Sequence, residues 1–581
     1  MPIITVHNPE DMGAMPRHPL GSKAKVLLTS VFGPYAQDDE FGSRVIDPME
    51  LYHNQITRVQ GPFSLRMFHR SWGLMLMQCN MEAPCTCLDF PTLDRFIDEI
   101  RENQYDIVGI SSILPNIHKV KKMCELIRQH LPNAIVVVGG HLANLSELNS
   151  MIDADYIVRG DGVRWFRRFL GEDEEKPINH PLVDSGINLR AMGINLNLSK
   201  PFNIAATLIP SLGCPIACNF CSTSATFGGR GKYVNYYETG DELFDIMCQL
   251  EKEMNVCSFF VMDENFLLYR KRALRLLQLM QENEKSWELQ VFSSANALKM
   301  YTIEQLVGLG IAWVWLGLEG KNSRYEKLKD TDTQALVKKL QSHGIHVLGS
   351  TIIGLEDHTP DNIDKAIDYA VSHDADFHQF MLYFPLPGTP LYTGLSNENR
   401  LLGPDEIDYA DVHGQYRFNF RHSHIKAGDE TGLMLRAFRR DFEVNGPSVL
   451  RFLRTTFEGW KKYRNHPEKR IRERYNREAK DMPSLFAGAI WAGRRWFRKN
   501  PIVKSKLSAF LNEICDEFGM KARIAAPLIG QFSLFLLWRE NRRLAKGWHP
   551  EPPTFYQKNY EETVPARRHE IGGKIRWITP N

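Results

Sequence analysis

The sequence predicts an α/β protein in three parts: an open parallel sheet, a six-stranded partial barrel, and a basic, mainly α-helical C-terminal region. Two observations predict the first two parts. Short apolar runs rich in β-branched residues alternate with amphipathic stretches over 24–175, and the alternation resumes with six strand candidates over 203–393. Continuous apolar strands separated by helices indicate parallel sheet covered on both faces. The third observation is charge. Residues 433–548 hold 26 Lys/Arg against 11 Asp/Glu, whereas the whole chain carries only +2. A length of 581 residues suits three or four domains at about 150 residues each. Apolar residues at 43% and charged residues at 24% exclude a disordered chain. Ten cysteines are too few for a disulfide scaffold in a chain this long.

In the first part the strand candidates are 24–31, 105–111, 134–139 and 156–159, with helices expected over 91–101 and 117–130. Small residues follow them: Ser111-Ser112, Gly139-Gly140-His141 and Gly160-Asp161-Gly162. Such residues let a ligand approach the backbone at the carboxyl edge of a parallel sheet, where open α/β folds bind ligands. Residues 1–23 read as an N-terminal extension without an apolar signal core. Residues 176–200, with scattered Pro, Asn, Asp and Gly, read as a linker.

In the second part the strand candidates are 203–209, 258–262, 289–292, 312–316, 346–353 and 378–384, alternating with helices at 241–254, 270–284, 303–309, 334–343 and 361–373. Thr302 and Gln305 have capping-box spacing, and Pro360 is placed as a first-turn proline. Six βα units make an open barrel with its chemistry at the carboxyl ends of the strands. From 401 the pattern is helical, basic and aromatic. The most apolar late stretch, 524–538, is interrupted by Pro527, Gly530 and Gln531, and falls short of the ~20 residues needed to span a bilayer.

The strongest local signal is C-x-x-x-C-x-x-C, Cys214, Cys218 and Cys221, immediately after a strand candidate. Three thiolates in eight residues can hold an iron–sulfur cluster and leave one iron open. Zinc is the rival, but structural zinc sites offer two separated ligand pairs.

With Phe220 before the last cysteine, the motif resembles that of the radical S-adenosylmethionine (SAM) enzymes. Further blocks agree in order: Asp263-Glu264 after the second barrel strand, Gly317-Leu318-Glu319 after the fourth, Gly354-Leu355-Glu356 after the fifth, and Pro385-Leu386-Pro387-Gly388-Thr389-Pro390 after the sixth. The first part is similar to the cobalamin-binding domain of one branch of that family. The resemblance covers about residues 24–400, with Ser350 where the fifth-strand block usually has glycine, and no D-x-H-x-x-G motif.

The resemblance implies a Rossmann-like cobalamin-binding domain (24–175), a partial (β/α)6 radical SAM barrel (201–400) and a helical C-terminal domain (401–581). It implies a [4Fe-4S] cluster on Cys214, Cys218 and Cys221, SAM on the open iron, and reductive cleavage to a 5′-deoxyadenosyl radical. SAM contacts are expected from Phe220, one of Asp263 and Glu264, Ser293, Asn296, Glu319 and Gly354. Cobalamin contacts are expected from Ser111, Ser112, Gly139, Gly140, His141 and Gly160, with no lower axial histidine. Cys79, Cys85 and Cys87 are expected to be reduced packing residues.

The leading functional expectation is C-methylation of an unactivated carbon in a lipid-like or secondary-metabolite substrate. Radical cyclisation or C–C coupling without net methyl transfer is the alternative, and a cluster- or cobalamin-responsive nucleic-acid-binding protein the third. A flavodoxin- or ferredoxin-type reductant is the expected partner. The expected location is the cytoplasm. Basic and aromatic residues beside 524–538 favour contact with the inner membrane surface over nucleic acid, and a helical cap whose solvated face is basic is the alternative to both.

Overall fold

The computed structural model describes residues 4–6, 17–33, 40–43, 56–196, 204–320, 325, 328, 331–548, 553–560 and 577–578. In chain order its first strands are β1 (Ile4–Val6), β2 (Val26–Thr29), β3 (Arg66–Phe68), β4 (Cys85–Asp89), β5 (Ile107–Ser111), β6 (Ile135–Gly139) and β7 (Tyr156–Val158). All but β3 lie in one parallel sheet ordered β1-β7-β6-β5-β2-β4. These strands are apolar at successive positions because side chains alternate between two cores. Leu27, Val108 and Val136 join Phe96, Met123 and Ile127 on one face, while Val26, Leu28 and Val137 join Leu74, Trp165 and Phe169 on the other. Cys85 and Cys87 on β4 and Cys79 on the helix before it are buried, and burial raises all three thiol pKa values.

Of the stretch read as a linker, residues 176–196 include strands, and 197–200 lie outside the described residues. It contributes β8 (His180–Pro181), β9 (Ile187–Ala191) and β10 (Ile194–Asn195), and β9 pairs with both β10 and β3 to make a small antiparallel sheet. The sparse Asn and Gly punctuation conceals an alternating Ile187, Leu189, Ala191 set. Leu65, Leu189 and Ala191 from this sheet and its flank pack on Trp313, Trp315 and Phe377 of the barrel.

The barrel begins with β11 (Ala205–Leu208). A short hairpin of β12 (Ser211–Leu212) and β13 (Val234–Asn235) follows. The remaining barrel strands are β14 (Ser258–Val261), β15 (Glu288–Ser293), β16 (Ile311–Gly317), β17 (His346–Ile353) and β18 (Phe377–Leu382). They run parallel in sequence order, β11-β14-β15-β16-β17-β18. Burial alternates along β15 and β16. Leu289, Val291, Val314 and Leu316 are buried beneath the helices, whereas Gln290, Phe292, Trp313 and Trp315 are half-buried. Capping boxes start the helices Gly240–Met254, through Thr239 and Glu242, and Ile303–Gly308, through Thr302 and Gln305. Pro360 falls in the turn before the helix Ile363–Val371, because Thr359 and Asn362 close that turn themselves.

Six helices of at least ten residues follow among the described residues: Asp429–Asn445, Ser448–Tyr463, Lys469–Glu478, Ala487–Trp496, Pro501–Phe518 and Met520–Leu544. Part of the basic surplus is structural. Arg474 bonds the Ile311 carbonyl and Glu478, Arg451 pairs with Asp441, and Arg477 pairs with Glu288. The chain then returns to the first sheet, where β19 (Phe555–Lys558) pairs antiparallel with β4. β20 (Trp577–Ile578) pairs with β8. Neither strand, nor β1, is legible in the sequence, because two to four residues give no readable period.

Candidate active site

β11 leads into the hairpin strand β12, and Gly213 then turns the chain into the cysteine loop. Gly213 has φ +89°, and a Cβ there would lie 2.8 Å from that of Phe227, so glycine alone fits this turn. Cys214, Cys218 and Cys221 are half-exposed along the loop. The Cys221 N–H donates to the Cys218 carbonyl at 2.9 Å, and Gly231 N–H donates to Pro215 at 3.0 Å. The helix Ser222–Thr226 follows at once, with Ser224 Oγ donating to the Cys214 carbonyl. Burial, then the neighbouring thiols and Glu264, push the Cys214 thiol up to about 11. The Cys214 thiol therefore resists ionisation until a cation arrives, and three closely spaced thiols are the donor chemistry a cationic iron–sulfur core satisfies. Among the described residues no three His, Cys, Asp or Glu side chains are grouped to hold one metal ion. Thiolates on separate irons of a cluster have no need to converge on one point.

Adjacent carboxylates after β14 take different places. Asp263 is fully engaged: Oδ1 accepts the Asn265 N–H at 3.0 Å, and Oδ2 accepts Ser211 Oγ at 2.8 Å and Arg272 Nη2 at 2.5 Å. It braces the turn, and its charge is already paired with a buried guanidinium. Glu264 lies against the cysteine loop beside Gly213, and its Oε2 is buried without a hydrogen-bond partner among the described residues. Burial raises its pKa to about 7. A buried carboxylate oxygen lacking a donor, beside the thiols, fits the ammonium of SAM.

The other expected SAM residues are distributed around the same rim. Ser293 Oγ and Ser294 Oγ both meet the Asn265 side chain, at 3.3 and 3.2 Å. Asn296 is half-exposed in the short helix that follows. Glu319 ends the fourth barrel strand's loop with φ +44°, and is buried. Phe220 packs edge-on against Tyr325. Gly354 departs from expectation. Its N–H donates to His358 Nδ1 at 3.0 Å, and a Cβ on it would lie 2.4 Å from Phe418. This glycine accommodates an aromatic ring, and its backbone donor is already taken.

The carboxyl edge of the first sheet meets this rim directly. Arg159 Nη2 donates to the Ala225 carbonyl at 2.7 Å, and Asn144 Nδ2 donates to Thr226 Oγ1 at 2.8 Å. His141 Nδ1 lies 3.4 Å from the same hydroxyl, and burial lowers its pKa. Tyr236 donates to Asp161 at 3.2 Å. Ser111, Gly139 and Gly160 are half-exposed at the strand ends, and Ser112 is buried. Gly160, at φ +93°, has only the Thr226 carbonyl near its Cβ position, at 3.8 Å. Gly140 serves the fold, since a Cβ there would lie 2.4 Å from the Ser112 carbonyl. Open backbone at Ser111, Gly139 and Gly160 fits a cofactor tail entering at a sheet edge. The sequence reading missed Arg159, Asn144 and Thr226, although Arg159 immediately precedes a glycine it singled out.

Comparison with known proteins gives the same division. The chain matches the B12 binding domain over residues 75–170 and the Radical SAM superfamily over residues 208–370. It is 27% identical over 352 residues to an uncharacterized methyltransferase of Pyrococcus horikoshii, covering 54% of this chain and 74% of that protein. It is 25% identical to bacteriochlorophyllide d C-12(1)-methyltransferase of Chlorobaculum tepidum, covering 52% and 69%. The anaerobic magnesium-protoporphyrin IX monomethyl ester cyclase of Rubrivivax gelatinosus is 22% identical, with 58% and 69% covered. The radical SAM methyltransferase TsrM of Kitasatospora setae, solved with cobalamin and a [4Fe-4S] cluster, aligns at a TM-score of 0.49 and 15% identity, over 80% of this chain and 99% of that one. The chain thus carries a B12 binding domain followed by a Radical SAM domain, the order found in cobalamin-binding radical SAM enzymes.

Proposed function

We propose that the chain is a cobalamin-dependent C-methyltransferase acting on an unactivated carbon of a lipid-like or secondary-metabolite substrate. One observation carries this reading: the sheet edge suited to cobalamin touches the helix that follows the three cysteines, through Arg159–Ala225 and Asn144–Thr226. Methyl transfer needs both cofactors within reach of one carbon, and proximity of this kind is the protein's main contribution. The similarity to two proteins named as methyltransferases supports it.

When bound, the cluster and SAM supply a 5′-deoxyadenosyl radical and cobalamin supplies the methyl group. Cys214, Cys218 and Cys221 would hold the cluster. Glu264 would receive the SAM ammonium, with Asp263 and Arg272 fixing the turn that presents it. Ser111, Gly139, Gly160 and His141 would border the cobalamin. Inside the barrel Phe292 stacks on Trp315, with ring centres 4.9 Å apart, and Phe260 packs across Phe292 at 5.8 Å. These half-exposed rings make an apolar wall that excludes water from a radical site.

Ring formation without net methyl transfer is the second reading, supported by the similarity to the cyclase. Anaerobic incubation with SAM, cobalamin, a one-electron reductant and a lipid extract separates the two by mass spectrometry. Methylation adds the mass of one methylene and yields S-adenosylhomocysteine. Cyclisation yields 5′-deoxyadenosine without it. A flavodoxin- or ferredoxin-type donor completes the reading. So do a cytoplasmic location and contact of the C-terminal region with the inner membrane surface.

A further inference from the structure

The helix Met520–Leu544 is longer than the sequence suggests. Pro527 sits inside it, and Gly530 is where Trp491 packs, 2.4 Å from a would-be Cβ. Gly488 on the helix Ala487–Trp496 likewise packs against Ile529. This interlocked side buries Ala522, Ala526, Ser533, Leu536 and Leu537. At its far end Glu540 accepts two hydrogen bonds from Arg190, at 2.8 and 2.6 Å, and lies 3.6 Å from Arg66. The helix is thereby fixed along one face to the small sheet and to its neighbouring helix.

The opposite face is unpartnered among the described residues. Met520, Ile524, Leu528, Phe532, Phe535 and Trp538 recur at three- and four-residue spacing, with Leu528 67% and Phe532 61% exposed. An apolar stripe of this extent marks an interaction surface. Its ends are cationic: Lys521 and Arg523 are exposed at one end, Arg539 and Arg542 at the other. Arg542 lies 4.1 Å over the Trp538 ring. Glu540, the only carboxylate of the helix, is turned inward, and the one carboxylate near its outer cations, Asp516 of the preceding helix, is paired with Arg523 at 3.4 Å among the described residues.

We propose that this face docks on an anionic phospholipid surface, the helix lying in the plane of the interface. By length and composition the helix could cross a membrane, with 33% of its apolar window buried in the protein. The fixed face decides between the two modes: a helix locked through Gly488, Trp491 and Arg190 has one side to offer lipid, as an interfacial helix does. At about 1.5 Å per residue it places cations at both ends of an apolar strip, matching headgroups around acyl chains. Nucleic acid would use the cations but leave the six apolar side chains exposed. The proposal rests on the membrane contact proposed above, and is independent of the reaction type.

The test is flotation of the full chain with neutral phosphatidylcholine vesicles and with vesicles containing phosphatidylglycerol, at low and high salt. Two variants accompany it, L528S/F532S/F535S and K521Q/R539Q/R542Q, all at exposed positions. The wild type should float with anionic vesicles and keep part of its binding at high salt. The apolar variant should lose about tenfold or more in partition, and the charge variant should lose its preference for anionic vesicles. Formation of 5′-deoxyadenosine should be unchanged in both. If the wild type floats and the apolar variant floats equally, the helix is not the docking element, although the membrane contact stands. If the wild type stays in solution, both fall. A wild-type dimer that the apolar variant converts to monomer would assign the stripe to a second copy and overturn the lipid proposal.

Discussion

Arg159, just past the end of β7, donates to the main-chain carbonyl of Ala225 at 2.7 Å, four residues beyond Cys221. No carboxylate pairs with Arg159 among the described residues, and burial lowers its pKa. A half-buried guanidinium held by a carbonyl tethers the carboxyl edge of the first sheet to the helix that follows the cysteine loop.

Replacing Arg159 by Ala is therefore expected to weaken cobalamin binding by about tenfold, the scale of one charge-assisted hydrogen bond, while the cluster absorbance is retained. Spectrophotometric titration with cobalamin measures the first and the visible spectrum the second. Equal affinity would show that the contact is incidental.

Each of Cys214→Ala, Cys218→Ala and Cys221→Ala should abolish cluster absorbance together with 5′-deoxyadenosine formation, because three thiolates leave no spare ligand. Of the remaining seven cysteines, Cys79, Cys85, Cys87 and Cys124 are buried elsewhere. A triple variant that still reconstituted four irons would move the site.

Glu264 predicts an unusual pH dependence. Its folded pKa is raised from 4.5 to about 7, so between these values the folded state binds the proton that the unfolded state has released. Stability of the SAM-free protein should accordingly fall as pH rises from about 4.5 to 7 and level off above, by on the order of 3 kcal/mol. Glu264→Gln should flatten that slope in thermal melts. SAM affinity should rise with pH through the same window, since an ammonium needs the ionised carboxylate. In the Gln variant SAM affinity should be low and nearly pH-independent.

Arg272 and Asp263 are both fully buried around their 2.5 Å contact. Arg272→Ala leaves Asp263 charged and unpaired, and is expected to cost about 3–5 kcal/mol. The double variant Arg272→Met with Asp263→Asn should recover much of the loss. Urea denaturation followed by barrel tryptophan fluorescence measures both. A null effect in the single variant would mean that the turn does not depend on the pair.

The amino-acid sequence by itself determined the two parallel sheets, the order of the barrel strands and the cysteine loop. Each of these is written in adjacent residues. β-branched runs such as those of β5 and β6 are apolar at successive positions because both faces are covered, and Cys214, Cys218 and Cys221 are close along the chain. Choosing between Asp263 and Glu264 required the tertiary structure, because only the positions of Ser211, Arg272 and Gly213 show which carboxylate is occupied and which faces the thiols. The same holds for Gly354, whose neighbour Phe418 is remote in sequence. Strands β1, β19 and β20 were invisible for a related reason: pairing partners far along the chain stabilise segments too short to show a period of their own. The unpartnered face of Met520–Leu544 was likewise settled in three dimensions, since composition records how apolar a helix is but not which of its sides the rest of the protein has already covered.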